Sequence, residues 1–225
     1  MAIQITSTAN AATHGLKILV YGQAGAGKTV LCRTMPGKKI IISAESGLLS
    51  LRGEDIPVIE VKSLSVLTEA FNYLNSPEGQ QYDWIALDSL SEIAEAVLAN
   101  ELKNAKHAMQ AYGETQTKML QTIRAFRDLP GRNVYMSAKM ERQKDEATGA
   151  VLYAPSMPGN KLAQQIPYLF DFVFALRSER DQQGVTQRWM QTMQDIQYMA
   201  KDRSGSLEPY ELPDLAVINS KITGV

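Results

Sequence analysis

Cysteine and histidine are scarce in this chain of 225 residues, which contains one cysteine and two histidines. A single cysteine excludes a disulfide within the chain and is typical of proteins in a reducing compartment. Together, the three residues give no cluster of the kind that binds zinc. We expect Cys32 to be a small apolar packing residue.

Net charge and long apolar runs are also lacking. The formal net charge is −1, so any nucleic-acid contact must come from a local patch of positive charge. No apolar stretch approaches the length of a membrane span, and the N-terminus does not resemble a signal peptide. With 44% hydrophobic and 21% charged residues, we expect one globular domain in the cytoplasm, with no membrane partner.

What the sequence does contain is a complete phosphate-binding loop. The pattern G-x-x-x-x-G-K-S/T is matched by Gly22, Gln23, Ala24, Gly25, Ala26, Gly27, Lys28 and Thr29. The apolar run over 16–21 predicts a buried strand before the loop, and residues 29–35 predict a helix after it. Backbone N–H groups of such a loop bind phosphate. Its lysine reaches the β- and γ-phosphates, and its threonine hydroxyl holds Mg²⁺. We therefore predict that the chain binds ATP and Mg²⁺.

Strand and helix patterns alternate along most of the chain, which predicts an α/β fold with a mostly parallel sheet flanked by helices. The predicted strands before the C-terminal third are 39–44, 57–61, 84–88 and 133–138, and the helices are 64–74, 90–102 and 115–129. Later strands predict antiparallel pairing at the C-terminal edge, at 170–176, 185–193 and 196–200. The remaining expectations are a mobile N-terminal arm over 1–15, an irregular stretch over 140–158 and a C-terminal tail over 206–225.

Two carboxylates follow predicted strands, at the edge where open α/β sheets bind ligands. Asp88 ends the strand over 84–88, where a phosphate-loop enzyme places the acid that holds Mg²⁺. The alternative role, a helix N-cap, suits the serines after it better. Many ATPases place a water-activating glutamate at the position of Ser89. We therefore assign that role to Glu45, which follows the strand over 39–44 and would deprotonate the attacking water. The alternative for Glu45 is a helix cap or a surface charge.

Three cations are candidates for contacts with phosphate groups. Lys139 follows the strand over 133–138 at the same edge, and it is either a sensor of the γ-phosphate or a solvated lysine. Lys201 and Arg203 lie two residues apart on an extended segment, so their side chains point the same way. They either complete the ATP site of a neighbouring subunit or are solvated charges on an edge strand.

The order of these elements resembles the core of RecA-type recombinases over roughly residues 16–205. Segment 42–46 (ISAES) resembles the strand followed by glutamate in that family. Segment 87–90 (LDSL) resembles its magnesium-acid motif. Segment 157–162 (MPGNKL) resembles the end of its second DNA-binding loop. The segment 201–205 (KDRSG) is similar to a Lys-Asn-Arg-Phe-Gly element of RadA-like and replicative-helicase relatives. Its lysine and arginine act there on the adjacent subunit's nucleotide. The resemblance therefore implies this role for Lys201 and Arg203.

Among RecA-like proteins, the small size most resembles phage nucleotide-binding proteins, including the Sak-type single-strand annealing recombinases. This resemblance implies a Mg-dependent, DNA-stimulated ATPase in the host cytoplasm that binds single-stranded DNA and promotes annealing or strand pairing. It also implies a homo-oligomer, as a filament or ring with ATP at subunit interfaces, and a single-stranded DNA-binding protein as a candidate helper.

We expect DNA to contact the loops at 103–112 and 142–161 through its phosphates first, with Tyr112 and Tyr153 available for base stacking. Two other functions are compatible with a phosphate loop. One is a nucleotide-switched adaptor or loader in DNA replication, which needs little hydrolysis. The other is a small P-loop kinase, although the chain has no arginine cluster suited to a kinase lid.

Overall fold

The structure is a computed structural model that describes residues 15–45, 47–144 and 149–224. The strands are β1 (Lys17–Gly22), β2 (Lys39–Ser43), β3 (Val58–Glu60), β4 (Trp84–Asp88), β5 (Asn133–Lys144), β6 (Val151–Pro155), β7 (Phe172–Arg180), β8 (Thr186–Gln191), β9 (Lys201–Asp202) and β10 (Tyr210–Glu211). The α-helices are α1 (Leu64–Asn75), α2 (Leu90–Asn104), α3 (Ala108–Arg127), α4 (Asn160–Gln165) and α5 (Leu215–Thr223).

The ten strands form one sheet with the order β10-β8-β7-β1-β5-β4-β2-β3, in which β6 also pairs with β5 and β9 with β7. The pairs from β7 to β3 along this order are parallel, whereas β6, β8, β9 and β10 pair antiparallel. This arrangement confirms the predicted α/β fold with antiparallel strands at the C-terminal edge. It also places β1, and therefore the loop that follows β1, near the middle of the sheet.

Alternating residues of the strands fill two separate cores, one on each face of the sheet. Leu19 and Tyr21 of β1 pack with residues of α1, α2 and α3. Ile18 and Val20 face the opposite side and pack with residues from the segment after the loop and from α5. Cys32 is fully buried in this second core, as expected for a small apolar side chain. Within the described residues, no helix has the length and apolar character needed to cross a membrane.

Several segments differ from the sequence-based predictions. The helix predicted over 29–35 is a 3-10 helix over 29–34. The prediction of an irregular stretch over 140–158 is wrong at residues 140–144 and 151–155, since β5 continues to Lys144 and pairs antiparallel with β6. Residues 145–148 of that stretch lie outside the described residues. The predicted strand over 196–200 is reduced to a single bridge between Tyr153 and Tyr198, and the strand β9 lies directly after it.

The two ends of the chain were expected to lie outside the packed core. The N-terminal arm falls on residues that the structure does not describe, apart from Gly15. Residues 206–224 of the expected tail contribute β10 and α5 to the packed unit. β10 pairs with β8, and α5 buries Leu215 and Ile218 in the core on the side of the phosphate loop.

Candidate nucleotide site

The phosphate-binding loop connects the carboxyl end of β1 with the 3-10 helix that begins at Thr29. Gly25 and Gly27 have φ angles of 76° and 110°, a region that glycine enters without steric penalty. These conformations let the backbone curve closely around a bound phosphate. A cavity of about 660 Å³ opens beside the loop, and Lys28, Glu45 and Lys139 are among the residues that line it.

Lys28 lies across the loop. Its Nζ donates hydrogen bonds to the carbonyl oxygens of Gly22, at 2.9 Å, and of Gln23, at 3.0 Å. Burial lowers the pKa of the Lys28 ammonium, although the carboxylates of Glu45 and Asp88 act in the opposite direction. The charged form is therefore poorly solvated at this position, and a phosphate would be a stronger partner for it than two carbonyls.

Thr29 and Asp88 are in direct contact, as expected of the two residues assigned to Mg²⁺. The Thr29 hydroxyl donates to Asp88 Oδ2 at 2.6 Å, and the Ser137 hydroxyl donates to the other carboxylate oxygen. Asp88 is only 1% exposed, and these two hydroxyl donors fix its orientation. An anionic carboxylate beside a hydroxyl oxygen is a donor set that suits Mg²⁺. The residues present therefore fit the ion.

Glu45 lies at the same edge of the sheet as Asp88. The backbone N–H groups of Ala44 and Glu45 donate to the Asp88 carbonyl at 2.8 and 3.3 Å, which holds the end of β2 against the end of β4. The Ser89 hydroxyl donates to Glu45 Oε1 and also accepts a weak hydrogen bond from the Glu92 N–H as the N-cap of α2. Ser89 therefore stands where many ATPases have the water-activating glutamate, and its hydroxyl orients Glu45.

Lys139 reaches the same cavity from the β5 side, but it is not a free cation. Its Nζ forms ion pairs with Glu92 at 2.5 Å and with Glu95 at 2.9 Å. These two carboxylates raise the pKa of Lys139, so the side chain stays charged and is held by α2. A phosphate contact would require Lys139 to exchange at least one of these partners.

Lys201 and Arg203 lie far from the phosphate loop of their own chain. β9 pairs with the amino-terminal end of β7, whereas the loop follows the carboxyl end of β1. Lys201 Nζ donates to the Pro167 carbonyl at 2.8 Å, and Arg203 forms an ion pair with Asp171 at 2.8 Å. The structure therefore brings Thr29, Asp88, Glu45, Lys28 and Lys139 together and leaves Lys201 and Arg203 at the opposite edge.

Three residues near the loop were not singled out from the sequence. Tyr135 donates its hydroxyl proton to the Lys28 carbonyl at 2.7 Å, and Ser137 donates to Asp88. Arg188 of β8 donates through Nε to the carbonyl of Ala26 at 3.1 Å. Ser137 had one available signal, since it is a small polar residue in an apolar strand. The position of Arg188 depends on strand register across β1, β7 and β8, which the sequence does not specify.

The fold and the site together define an ATPase of the P-loop class, in which a mostly parallel α/β sheet carries the phosphate-binding loop. Residues 14–204 match the family described as AAA domain, and the chain belongs to this family. No curated protein matches the chain. Among solved structures, a KaiC-like protein from the hyperthermophilic archaeon Pyrococcus horikoshii OT3 shares 13% identity at a TM-score of 0.45, with 84% of each chain covered. That similarity is too low to carry a conclusion.

Proposed function

We propose that this ATPase binds single-stranded DNA and promotes annealing or strand pairing as a homo-oligomer in the cytoplasm of a phage-infected host. The observation that carries this proposal is the meeting of two segments expected to contact DNA. Tyr112 of α3 packs against Gly159, where a Cβ would lie 3.2 Å from the Tyr112 ring. Residues from both segments line one open cavity of about 670 Å³.

The chemistry of this surface, which we call the Tyr112 surface, suits a single strand. It comprises Met109, Tyr112, Gln116, Asn160 and Lys161. Met109 is 87% exposed and Tyr112 is also exposed, so apolar and aromatic area is available for stacking on bases. Lys161 is exposed beside them and supplies positive charge for a phosphate. Aromatic platforms with nearby cations are typical of sequence-tolerant binding to single strands.

Tyr153, the other expected stacking residue, is engaged within the protein. Its ring stacks on Tyr198 with centroids 4.9 Å apart and planes 16° apart, and the Arg142 guanidinium carbon lies 5.9 Å from its centroid. These contacts connect the β5–β6 hairpin to the segment before β9. Base stacking by Tyr153 would require its ring to leave these partners, and the proposal therefore rests on Tyr112.

For ATP hydrolysis, we propose that Glu45 removes a proton from the water that attacks the γ-phosphorus, while the bond to the ADP oxygen breaks. Ser89 orients the Glu45 carboxylate for this step, and Lys28 provides positive charge against the β- and γ-phosphates. Thr29 and Asp88 would hold Mg²⁺, which supplies neutralisation of the phosphate charge. Inorganic phosphate and ADP are the products.

The test is ATP hydrolysis by the purified chain, with and without single-stranded DNA, over a range of protein concentrations. We expect DNA to stimulate hydrolysis and the rate to rise more than linearly with protein. The variant Tyr112→Ala should weaken DNA binding by about tenfold, because each stacked base contributes roughly 1–3 kcal/mol.

Tyr73→Ala is the matched control, since Tyr73 is a partly exposed tyrosine on α1, away from the Tyr112 surface. A rate that ignores DNA and stays proportional to protein contradicts the proposal. That result would favour a nucleotide-switched loader in DNA replication or a small kinase.

A further inference from the structure

Arg188 reaches the phosphate loop from the side opposite to the other site residues. Besides the hydrogen bond from Nε to Ala26, its Cδ and Nε lie 3.7 Å from the position that a Cβ on Gly27 would take. None of the ion pairs in the described part of the chain includes Arg188, and the residue is exposed. The remaining N–H donors of its guanidinium are therefore available to a ligand in the loop.

The order of the strands gives the direction in which a nucleotide would lie. On one side of β1 are β5, β4 and β2. Lys139 lies within β5, level with Gly22, Asp88 ends β4, and Glu45 follows β2. The γ-phosphate belongs on this side, because water activation and Mg²⁺ both act on it. The β-phosphate occupies the loop itself. The nucleoside end must then leave the loop toward β7 and β8, and Arg188 lies on β8.

We propose that Arg188 is a further nucleotide-binding residue, which contacts the ribose and base of the bound nucleotide. A guanidinium is planar, so it stacks on the face of a base, and it donates hydrogen bonds to ribose oxygens. The hydrogen bond from Nε to Ala26 fixes the guanidinium beside the loop. This inference rests on the ATPase assignment and does not depend on the proposed DNA binding.

Arg180 provides a matched control on the same face of the sheet. Arg188 pairs with Ser178, and Arg180 pairs with Thr186. Directly paired residues of antiparallel strands point to the same face, as do residues two apart on one strand. Arg180 is exposed and lies further from the loop along β7. Removing its charge therefore changes the net charge and local field without removing the proposed contact.

The experiment compares two ligands by titration calorimetry, namely ADP, which has a nucleoside, and pyrophosphate, which has none. We expect Arg188→Gln to weaken ADP binding by about tenfold and to leave pyrophosphate binding within about twofold of the unsubstituted chain. Arg180→Gln should change neither affinity. Arg188→Lys should not restore ADP binding, because an ammonium neither stacks nor forms two directed hydrogen bonds. Should Arg188→Gln unfold at the assay temperature, Arg188→Lys supplies the same comparison.

Equal losses for ADP and pyrophosphate would mean that Arg188 only supports the loop through Ala26, and the inference would be overturned. No loss for either ligand would overturn it as well. In both cases the unsubstituted chain still binds ADP, so the assignment of a nucleotide site at the phosphate loop stands. If the unsubstituted chain binds neither ligand, the ATPase assignment fails and the inference fails with it.

Discussion

At the scale of single residues, hydroxyl groups determine how the carboxylates of the candidate site are oriented. Asp88 accepts hydrogen bonds from Thr29 and Ser137, and Glu45 accepts one from Ser89. Such donors are uncharged, so they fix the carboxylates without neutralising them. The hydroxyl groups therefore hold Asp88 in place for the proposed Mg²⁺ ion and Glu45 in place for the proposed proton transfer from water.

Glu45→Gln tests the assigned base. The amide retains the shape of the side chain but cannot accept the proton from water, so we expect hydrolysis to fall by about a hundredfold or more. ADP affinity should stay within about twofold, because the hydrogen bonds of Glu45 in the described part of the chain go to Ser43, Ser89 and Asp88 and not to the phosphate loop, and its charge acts on Lys28 only electrostatically. Single-turnover hydrolysis and titration calorimetry measure the two quantities.

Glu54→Gln is the control for Glu45→Gln, since Glu54 is an exposed glutamate in the segment that follows. Undiminished hydrolysis by the Glu45→Gln variant would show that the base lies elsewhere. Loss of ADP affinity in this variant, together with loss of hydrolysis, would point to a collapsed site and not to a missing base.

At the scale of elements, the sequence predicts best those segments whose residue pattern is typical of a single structural environment. β1, β2 and β4 are short branched apolar runs buried on both faces, and the phosphate loop has a distinctive motif. Asp88 and Glu45 could therefore be assigned from the positions of strand ends. The same reasoning cannot give contacts such as that of Arg188, because strand register is set by the tertiary structure.

The β5–β6 hairpin illustrates what a hydrophobic pattern misses. Its outer part, Glu141 to Lys144, consists of polar and charged residues, so no apolar alternation indicates a strand. The backbone pairing with β6 forms it regardless, with Tyr153 anchored on Tyr198. A hairpin that extends past the core has little apolar surface to bury, and hydrophobic periodicity therefore carries little information about it.

α5 is an element that the sequence analysis did not expect, and it contacts the segment that follows the phosphate loop. Asp214 caps the helix by accepting hydrogen bonds from the N–H groups of Ala216 and Val217. The Leu215 N–H donates to Thr34 Oγ1 at 2.9 Å, at the end of the 3-10 helix. α5 therefore supports the helix that positions Thr29.

Ile218→Ala tests whether α5 is part of the folded core. Ile218 is 0% exposed, and deleting its buried side chain should lower the free energy of unfolding by about 2–5 kcal/mol. Urea unfolding followed by circular dichroism measures this change. Val217→Ala is the matched control, because Val217 is partly exposed on the same helix. Equal small effects for both variants would mean that α5 does not pack as described.

At the scale of the whole molecule, the two groups of candidate residues lie at opposite edges of the sheet. Lys201 pairs with Val173 and Arg203 forms an ion pair with Asp171, so both lie near the amino-terminal end of β7. The phosphate loop lies further along this strand, because its first residue, Gly22, pairs with Leu176. The extended chain from residue 171, just before β7, to residue 176 within β7 spans about 16 Å. Arg203 therefore cannot reach the nucleotide of its own chain. A role for it in hydrolysis requires a second copy of the chain.

Arg203 is suited to such a role because its contact within the chain is weak. The side chain is 56% exposed in its ion pair with Asp171, and exposed ion pairs contribute only about 0–1 kcal/mol. A phosphate of a neighbouring subunit could therefore replace Asp171. Burial lowers the pKa of Lys201, and the nearby Arg203 adds to this effect, so an anion placed between the two cations would be stabilised by both.

Arg203→Ala should leave ADP binding intact and lower ATP hydrolysis by at least about tenfold at protein concentrations that favour assembly. Arg52→Ala, which removes an exposed arginine elsewhere, should have no such effect.

The sharper measurement mixes Arg203→Ala with Lys28→Ala. The first variant has an intact phosphate loop without the arginine, and the second has the arginine without a functional loop. Sites shared between subunits predict that the mixture hydrolyses ATP although each variant alone does not. An inactive mixture, or full hydrolysis by dilute Arg203→Ala, would mean that Arg203 does not complete the site of a neighbouring subunit.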